Sequence, residues 1–177
     1  MKKTIISFSG RKNGNCSNIG RMLYQSQEDS IFYDFSEISI TPCTACSLEC
    51  FKEGQQCPYR DDMVYTIYDS IMHSDMTFFI VPNYCDYPCS LYFIFNERSQ
   101  CYFQHHPQLL EQYLEKRKKF IVISNTNQEN FIKAFEYQSQ KPDILFLSAK
   151  RYNKVSIRGD LLDSLQAIED IKSFAEE

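Results

Sequence analysis

Two short stretches hold most of the chemistry that this sequence could perform. The first is Ser9-Gly10-Arg11-Lys12-Asn13-Gly14-Asn15-Cys16-Ser17. It follows the apolar run Thr4 to Phe8 and precedes Ile19, Met22 and Leu23, which recur at helical spacing. A polar loop between a strand and a helix start gathers free backbone N–H groups at the positive end of the helix dipole, and so makes an anion site. Ser9, Asn15 and Ser17 add side-chain donors, Gly10 and Gly14 let the backbone approach closely, and Arg11 can form charge-assisted bonds to a phosphate dianion. The spacing matches neither G-x-G-x-x-G nor a Walker loop, which argues against a Rossmann NAD site and a triphosphatase. The same residues also read as a solvated turn with an incidental basic pair.

The second stretch is Cys43-x2-Cys46-x3-Cys50-x6-Cys57, in a segment rich in turn residues. Closely spaced thiolates on such a loop are what a zinc ion or an iron–sulfur cluster requires. Zinc sites usually pair two CxxC knuckles, and only Cys43 and Cys46 make one here. Free thiols are the competing reading, and metal is not the favoured one.

The elements that must position these stretches follow from periodicity. Apolar runs at 4–8, 31–35, 76–81, 120–124 and 144–147 predict five strands, with Pro82 ending the third. Amphipathic spacing predicts helices near 17–27, 61–72, 88–97, 109–118, 128–138 and 159–175, with 41–61 a loop and 99–107 irregular. Strands alternating with helices force parallel pairing and right-handed crossovers. The expected fold is therefore α/β, a doubly wound five-stranded parallel sheet with helices on both faces. Ligands of such sheets bind beyond the C-terminal strand ends, which selects the loops 9–15, 82–89 and 124–128.

Composition bounds the function. The 177 residues are one domain's worth, read here as a single unit over 1–177, and 43% hydrophobic with 24% charged residues is ordinary for a globular chain. A net charge of −4 gives no long-range attraction to nucleic acid or to anionic membranes, so neither is expected as a partner. The N-terminal apolar run is too short for a signal core and no segment has about 18 consecutive apolar residues, so a cytoplasmic location with reduced thiols is expected. His105 and His106 are read as exposed, and the basic run 116–119 as a solvated helix end.

The stretch Phe8 to Ser17 resembles the opening GSPRKNGNTS of the NADPH-dependent FMN reductase and iron–sulfur flavoprotein family, which is flavodoxin-like. Further similarities are Pro42-Cys43-Thr44-Ala45-Cys46 with the later Cys57, Asp61-Asp62-Met63, Pro82-Asn83-Tyr84 where the family shows P-V-Y, and Phe93 to Arg98. The register holds over roughly the first hundred residues, and the remainder is matched only in element order. The resemblance implies that Ser9, Arg11, Asn15, Cys16 and Ser17 hold an FMN phosphate, and that Pro82, Asn83, Tyr84 and Cys85 line the isoalloxazine ring. It further implies NAD(P)H as donor, a flavin or quinone-type reductase activity, and a homodimer. Tyr84 offers a flat aromatic face suited to a ring. In the iron–sulfur branch a similar cysteine motif ligates a cluster, though with two residues in the second gap where this chain has three. In the reductase branch the cysteines are unligated thiols or a redox-active pair. Gly10 stands for the family's proline, Cys16 for its threonine, and Ser124-Asn125-Thr126-Asn127 lacks the usual glycines. Two alternatives therefore stay open: a non-catalytic FMN electron carrier, and a flavin-free binding or dimerisation module.

Overall fold

A computed structural model describes residues 1–43, 46–135 and 141–177. The five apolar runs form one parallel sheet: β1 (Lys3–Ser7), β2 (Ser30–Asp34), β3 (Met76–Tyr84), β5 (Lys118–Ile123) and β6 (Asp143–Leu147). Their spatial order is β2-β1-β3-β5-β6. This is the expected flavodoxin-like doubly wound arrangement, with the order reversing at β1 and β3. A two-residue strand, β4 (Tyr87–Pro88), pairs antiparallel with the end of β3.

Alternation along each strand sorts side chains to two faces. Ile5, Phe78, Ile80, Ile121 and Ile123 meet α1 (Asn15–Ser26) and α7 (Leu165–Glu176) on one side. Ile6, Phe79, Val81, Phe120 and Val122 face the other. There they meet α2 (Met63–Met72), α3 (Ser90–Glu97), α4 (Ser99–Phe103), α5 (Pro107–Glu115) and α6 (Glu129–Lys133). That second core is largely aromatic: Phe8 stacks on Phe35 at 4.9 Å, and Phe79 on Phe120 at 4.8 Å. Helix α1 lies close on β2, since a Cβ added at Gly20 would come within 2.4 Å of the Phe32 ring.

Several boundaries differ from the sequence expectation, each for a local reason. Pro82 does not end its strand. It pairs opposite Ile123 and its carbonyl accepts from Cys89 N at 3.2 Å, so β3 runs on to Tyr84. Cys85 and Asp86, at φ of 51° and 71°, then turn the chain into β4 as a two-residue hairpin loop. Pro88 consequently lies in β4, and α3 begins at Ser90. The segment 99–107 is not irregular, because α4 continues almost directly from α3. The final helix begins at Leu165, after short 3-10 turns at Ser156–Arg158 and Leu161–Asp163.

The basic run is the largest departure. Lys118 and Lys119 are 3% and 0% exposed and belong to β5. Their ammonium groups satisfy helix C-terminal carbonyls, Lys118 donating to Tyr113 O and Lys119 to Phe174 O at 2.6 Å, so the apolar stems run inside while the charges find the negative dipole ends. The helical reading of 128–138 holds for α6, and its positions 136–138 lie outside the described residues, as do Thr44 and Ala45 of the cysteine segment.

Candidate functional site

The N-terminal loop leaves β1 beyond Ser7 and enters α1 at Asn15, with Gly14 as N-cap and no side chain capping it. The exposed amide end of a twelve-residue helix is thereby left toward the loop. Ser9 Oγ accepts from Arg11 N and Gly14 N donates to Arg11 O, which curls the loop tightly. Beside it, the β3–β4 hairpin and the β5 loop close a cavity of about 370 Å³ at the C-terminal ends of β1, β3 and β5. A volume in this range is that of an ordinary small-molecule site.

Eight of the nine residues selected from the sequence line this one cavity: Ser9, Arg11, Asn15, Cys16, Pro82, Asn83, Tyr84 and Cys85. Ser17 is not brought to it. Its hydroxyl is fully buried and donates to Asp34 Oδ1 at 2.9 Å, tying α1 to the end of β2. Tyr84 remains 59% exposed, so its ring is free to cover a ligand. Burial, followed by Cys16, holds its phenol above the ordinary value. Burial, then the neighbouring Cys89, also pushes the Cys16 thiol up, so Cys16 presents a neutral, weak donor.

Asn83 locks the cavity wall. Its amide group donates to Ser124 Oγ at 2.7 Å and to Asn127 O at 2.9 Å, fixing the end of β3 to the β5 loop. Its Oδ1 is buried without a partner among the described residues.

The sequence reading missed the third wall. Ser156 and Ile157, in the long connection after β6, line the cavity together with Asn125, Thr126 and Ile123. Arg11 Nη1 donates to Ile157 O at 2.7 Å, and Asn15 Nδ2 to Ser156 O at 2.9 Å, while Asn15 Oδ1 accepts from Leu161 N at 3.0 Å. Asn125 Nδ2 reaches Ser156 Oγ at 2.7 Å. One signal for this strap was legible: Gly159, at φ +76°, where a Cβ would come within 2.2 Å of Asn13 O.

The cysteine segment forms a second locus. Cys43, Cys46, Cys50 and Cys57 line a separate cavity of about 200 Å³, joined there by Cys101 from α4. All eight cysteines are free thiols. Among the described residues, no three His, Cys, Asp or Glu side chains converge as a metal-binding set. Burial, then Cys101, pushes the Cys43 thiol up to about 11. At the base lies Arg98, fully buried and paired with Asp62 at 2.7 Å. His105 and His106 are exposed, on the rim of an adjoining cavity.

No protein-family model matches the chain, and no curated protein matches it. Solved structures do. The Trp repressor binding protein from Bacillus subtilis aligns over 98% of this chain and 99% of its own, with a TM-score of 0.68 at 16% identity. A flavone reductase aligns over 98% of this chain and 60% of its own, with a TM-score of 0.61 at 12% identity. The flavoenzyme NAD(P)H:(acceptor) oxidoreductase FerB from Paracoccus denitrificans aligns over 99% and 97%, with a TM-score of 0.50 at 12% identity. At such identities the likeness is one of fold, and the chain has the flavodoxin-like fold.

Proposed function

We propose that the protein binds FMN in the cavity between the N-terminal loop and the β3–β4 hairpin and acts as an NAD(P)H-dependent flavin or quinone-type reductase. The observation that carries this reading is the convergence on one cavity of eight residues chosen from two loops some seventy positions apart in sequence. Solved structures with the same fold include a flavone reductase and a flavoenzyme NAD(P)H:(acceptor) oxidoreductase, which is consistent with it.

The residues fit the cofactor. The phosphate would lie at the N-terminus of α1, held by backbone N–H groups, Arg11 and Asn15, with Ser9 at the edge. Pro82, Ile123 and Tyr84 would give the ring an apolar slot, while Asn83 keeps the hairpin and the β5 loop at a fixed separation. When bound, the flavin supplies a two-electron acceptor for hydride and a donor to the final substrate. The chain needs no dedicated acid or base for that exchange, so the protein's task is to orient the ring and exclude water from one of its faces. Tyr84, Tyr87 and Ile157, at 59%, 50% and 73% exposure, leave apolar surface beside the cavity for a nicotinamide donor and for the second subunit of a homodimer. The location proposed is cytoplasmic; no helix among the described residues is long and apolar enough to cross a membrane.

The test is the absorbance spectrum of purified protein, followed by titration with FMN and a measurement of NAD(P)H oxidation with a quinone acceptor. Flavin bands and steady turnover support the reductase. Flavin without turnover supports an electron carrier. A colourless protein that takes up no FMN supports the flavin-free module, a reading favoured by one observation: Arg11 and Asn15 already donate to the strap at Ser156 and Ile157.

A further inference from the structure

Cys50, Cys57 and Cys101 pack into one buried cluster, with Tyr59 and Tyr65 against it. They form a partition, because all three line the 200 Å³ cavity on one side and a 360 Å³ cavity on the other. The outer cavity is rimmed by Gln55, Arg60, His105 and His106, at the protein surface. The sulfur atoms are thus screened from bulk water and still within reach of a small solute.

Arg98 distinguishes two of the three. Its Nε–H donates to Cys101 Sγ at 3.4 Å, and an Nη2–H to Cys57 Sγ at 3.7 Å. The guanidinium cannot swing away, since Asp62 at 2.7 Å, Thr41 O at 2.5 Å and Tyr59 O at 3.0 Å hold its other hydrogens. Burial raises the Cys57 thiol above its ordinary value, and the fixed Arg98 cation, whose N–H groups point at both sulfurs, works against that rise and offers a hydrogen bond to a nucleophilic sulfur as it reacts. Cys57 and Cys101 share the buried cluster, and the Cys101 thiol donates to Arg98 O at 3.0 Å. Cys43 and Cys46 are directed elsewhere, to Glu97 O and Cys43 O respectively.

We propose that Cys57 and Cys101 are a redox-active dithiol that closes to a disulfide when a small hydroperoxide enters the outer cavity. Neither the run of cysteines at 43–57 nor the flavin reading assigns this pair, and it stands or falls independently of flavin binding. The Cys57 thiolate attacks one peroxide oxygen; the O–O bond breaks, and the departing alkoxide takes a proton to leave as the alcohol. Cys57 is then a sulfenic acid. The Cys101 thiolate attacks its sulfur, the S–O bond breaks, and hydroxide leaves with the second proton as water. Two electrons pass from the two thiols to the peroxide, and one S–S bond is formed. Arg98 donates to the sulfur of each as it reacts. The bond fastens the cysteine loop to α4 across Arg98.

The experiment uses the full chain, reduced and freed of reductant, then treated with equimolar hydrogen peroxide. Remaining thiols are alkylated, and the protein is digested without reduction for peptide mass mapping. A dominant Cys57–Cys101 cross-linked peptide is the expected result. Cys50→Ser keeps that peptide. Cys101→Ser loses it and leaves a sulfenic acid at Cys57 that dimedone traps. A map of the wild-type protein dominated by any other pair, or by no internal disulfide, overturns the proposal, and that readout requires no variant to fold.

Discussion

The guanidinium of Arg11 donates to the carbonyl of Ile157 at 2.7 Å, joining the loop after β1 to the connection after β6 across 146 positions of sequence. The strongest cation of the candidate phosphate site is therefore already oriented by the fold, in a cavity whose far wall it helps to build. An anion bound there meets a side chain with little rotamer freedom left to lose.

Arg11→Ala is accordingly expected to weaken FMN binding by about ten- to a hundredfold, the loss of one or two charge-assisted hydrogen bonds. Fluorescence quenching of added FMN measures it, and the wild-type affinity should fall with rising salt more steeply than that of the variant. An unchanged affinity would remove the phosphate from this loop.

The strap itself depends on Gly159. Alanine there must hold φ near +76° and push against Asn13 O, so Gly159→Ala should cost about 1–3 kcal/mol in urea unfolding. FMN affinity should fall as well, because the strap carries the acceptors for Arg11 and Asn15.

Asn83 donates to Ser124 Oγ and Asn127 O, and Asn83→Ala leaves both without their donor. A loss of about 1–3 kcal/mol is expected, together with faster amide exchange in the Tyr84–Tyr87 hairpin than elsewhere in β3. Uniform exchange throughout the sheet would show that Asn83 does not anchor the hairpin.

Asp62 serves three partners, accepting from Val64 N at 3.0 Å as the cap of α2 and from Thr41 N at 3.2 Å, and pairing with buried Arg98. Asp62→Ala alone strands that cation and should cost about 3–5 kcal/mol. Adding Arg98→Met should recover part of the loss, leaving about 1 kcal/mol for the missing cap. A double variant less stable than the single would contradict the stranded-charge account.

Burial, then the neighbouring Lys116, lowers Lys118 to about 8 from its ordinary 10.5. The folded state thus prefers the neutral amine. Its contribution to stability is present above the unfolded value, and is lost as the pH falls through about 8. Measured against Lys118→Met, in which the cysteine and tyrosine titrations are shared and cancel, the wild-type protein should gain on the order of 2–3 kcal/mol between pH 8 and 10.5. A flat difference would mean that the carbonyls of Tyr113, Leu114 and Lys116, and the Tyr113 ring 4.4 Å away, fully offset the desolvation.

The strands and the polar loop before α1 were legible because they are local. A continuous apolar run such as Phe120–Ile123 suits only a strand covered on both faces, and a polar loop before a helix collects free amides whatever surrounds it. The same locality explains the errors. Lys118 and Lys119 read as solvated because charge alone was visible, whereas two helix C-termini, one of them 55 residues further along the chain, receive their ammonium groups. Pro82 read as a strand end because the missing N–H was visible, but the Cys89 donor and the Cys85–Asp86 turn that carry the chain onward were not.

What the sequence determined by itself was the α/β order, and with it the sheet edge where the loops at 9–17 and 82–85 had to meet, since periodicity and crossover handedness are properties of the chain alone. Tertiary structure decided the rest: that Ser17 turns inward to Asp34, that Ser156 and Ile157 close the site, and that Cys101 joins Cys57 beside Arg98. Each of these is a pairing between distant segments. A side chain's partner there is set by which helix or loop packs over it, and no local spacing encodes that.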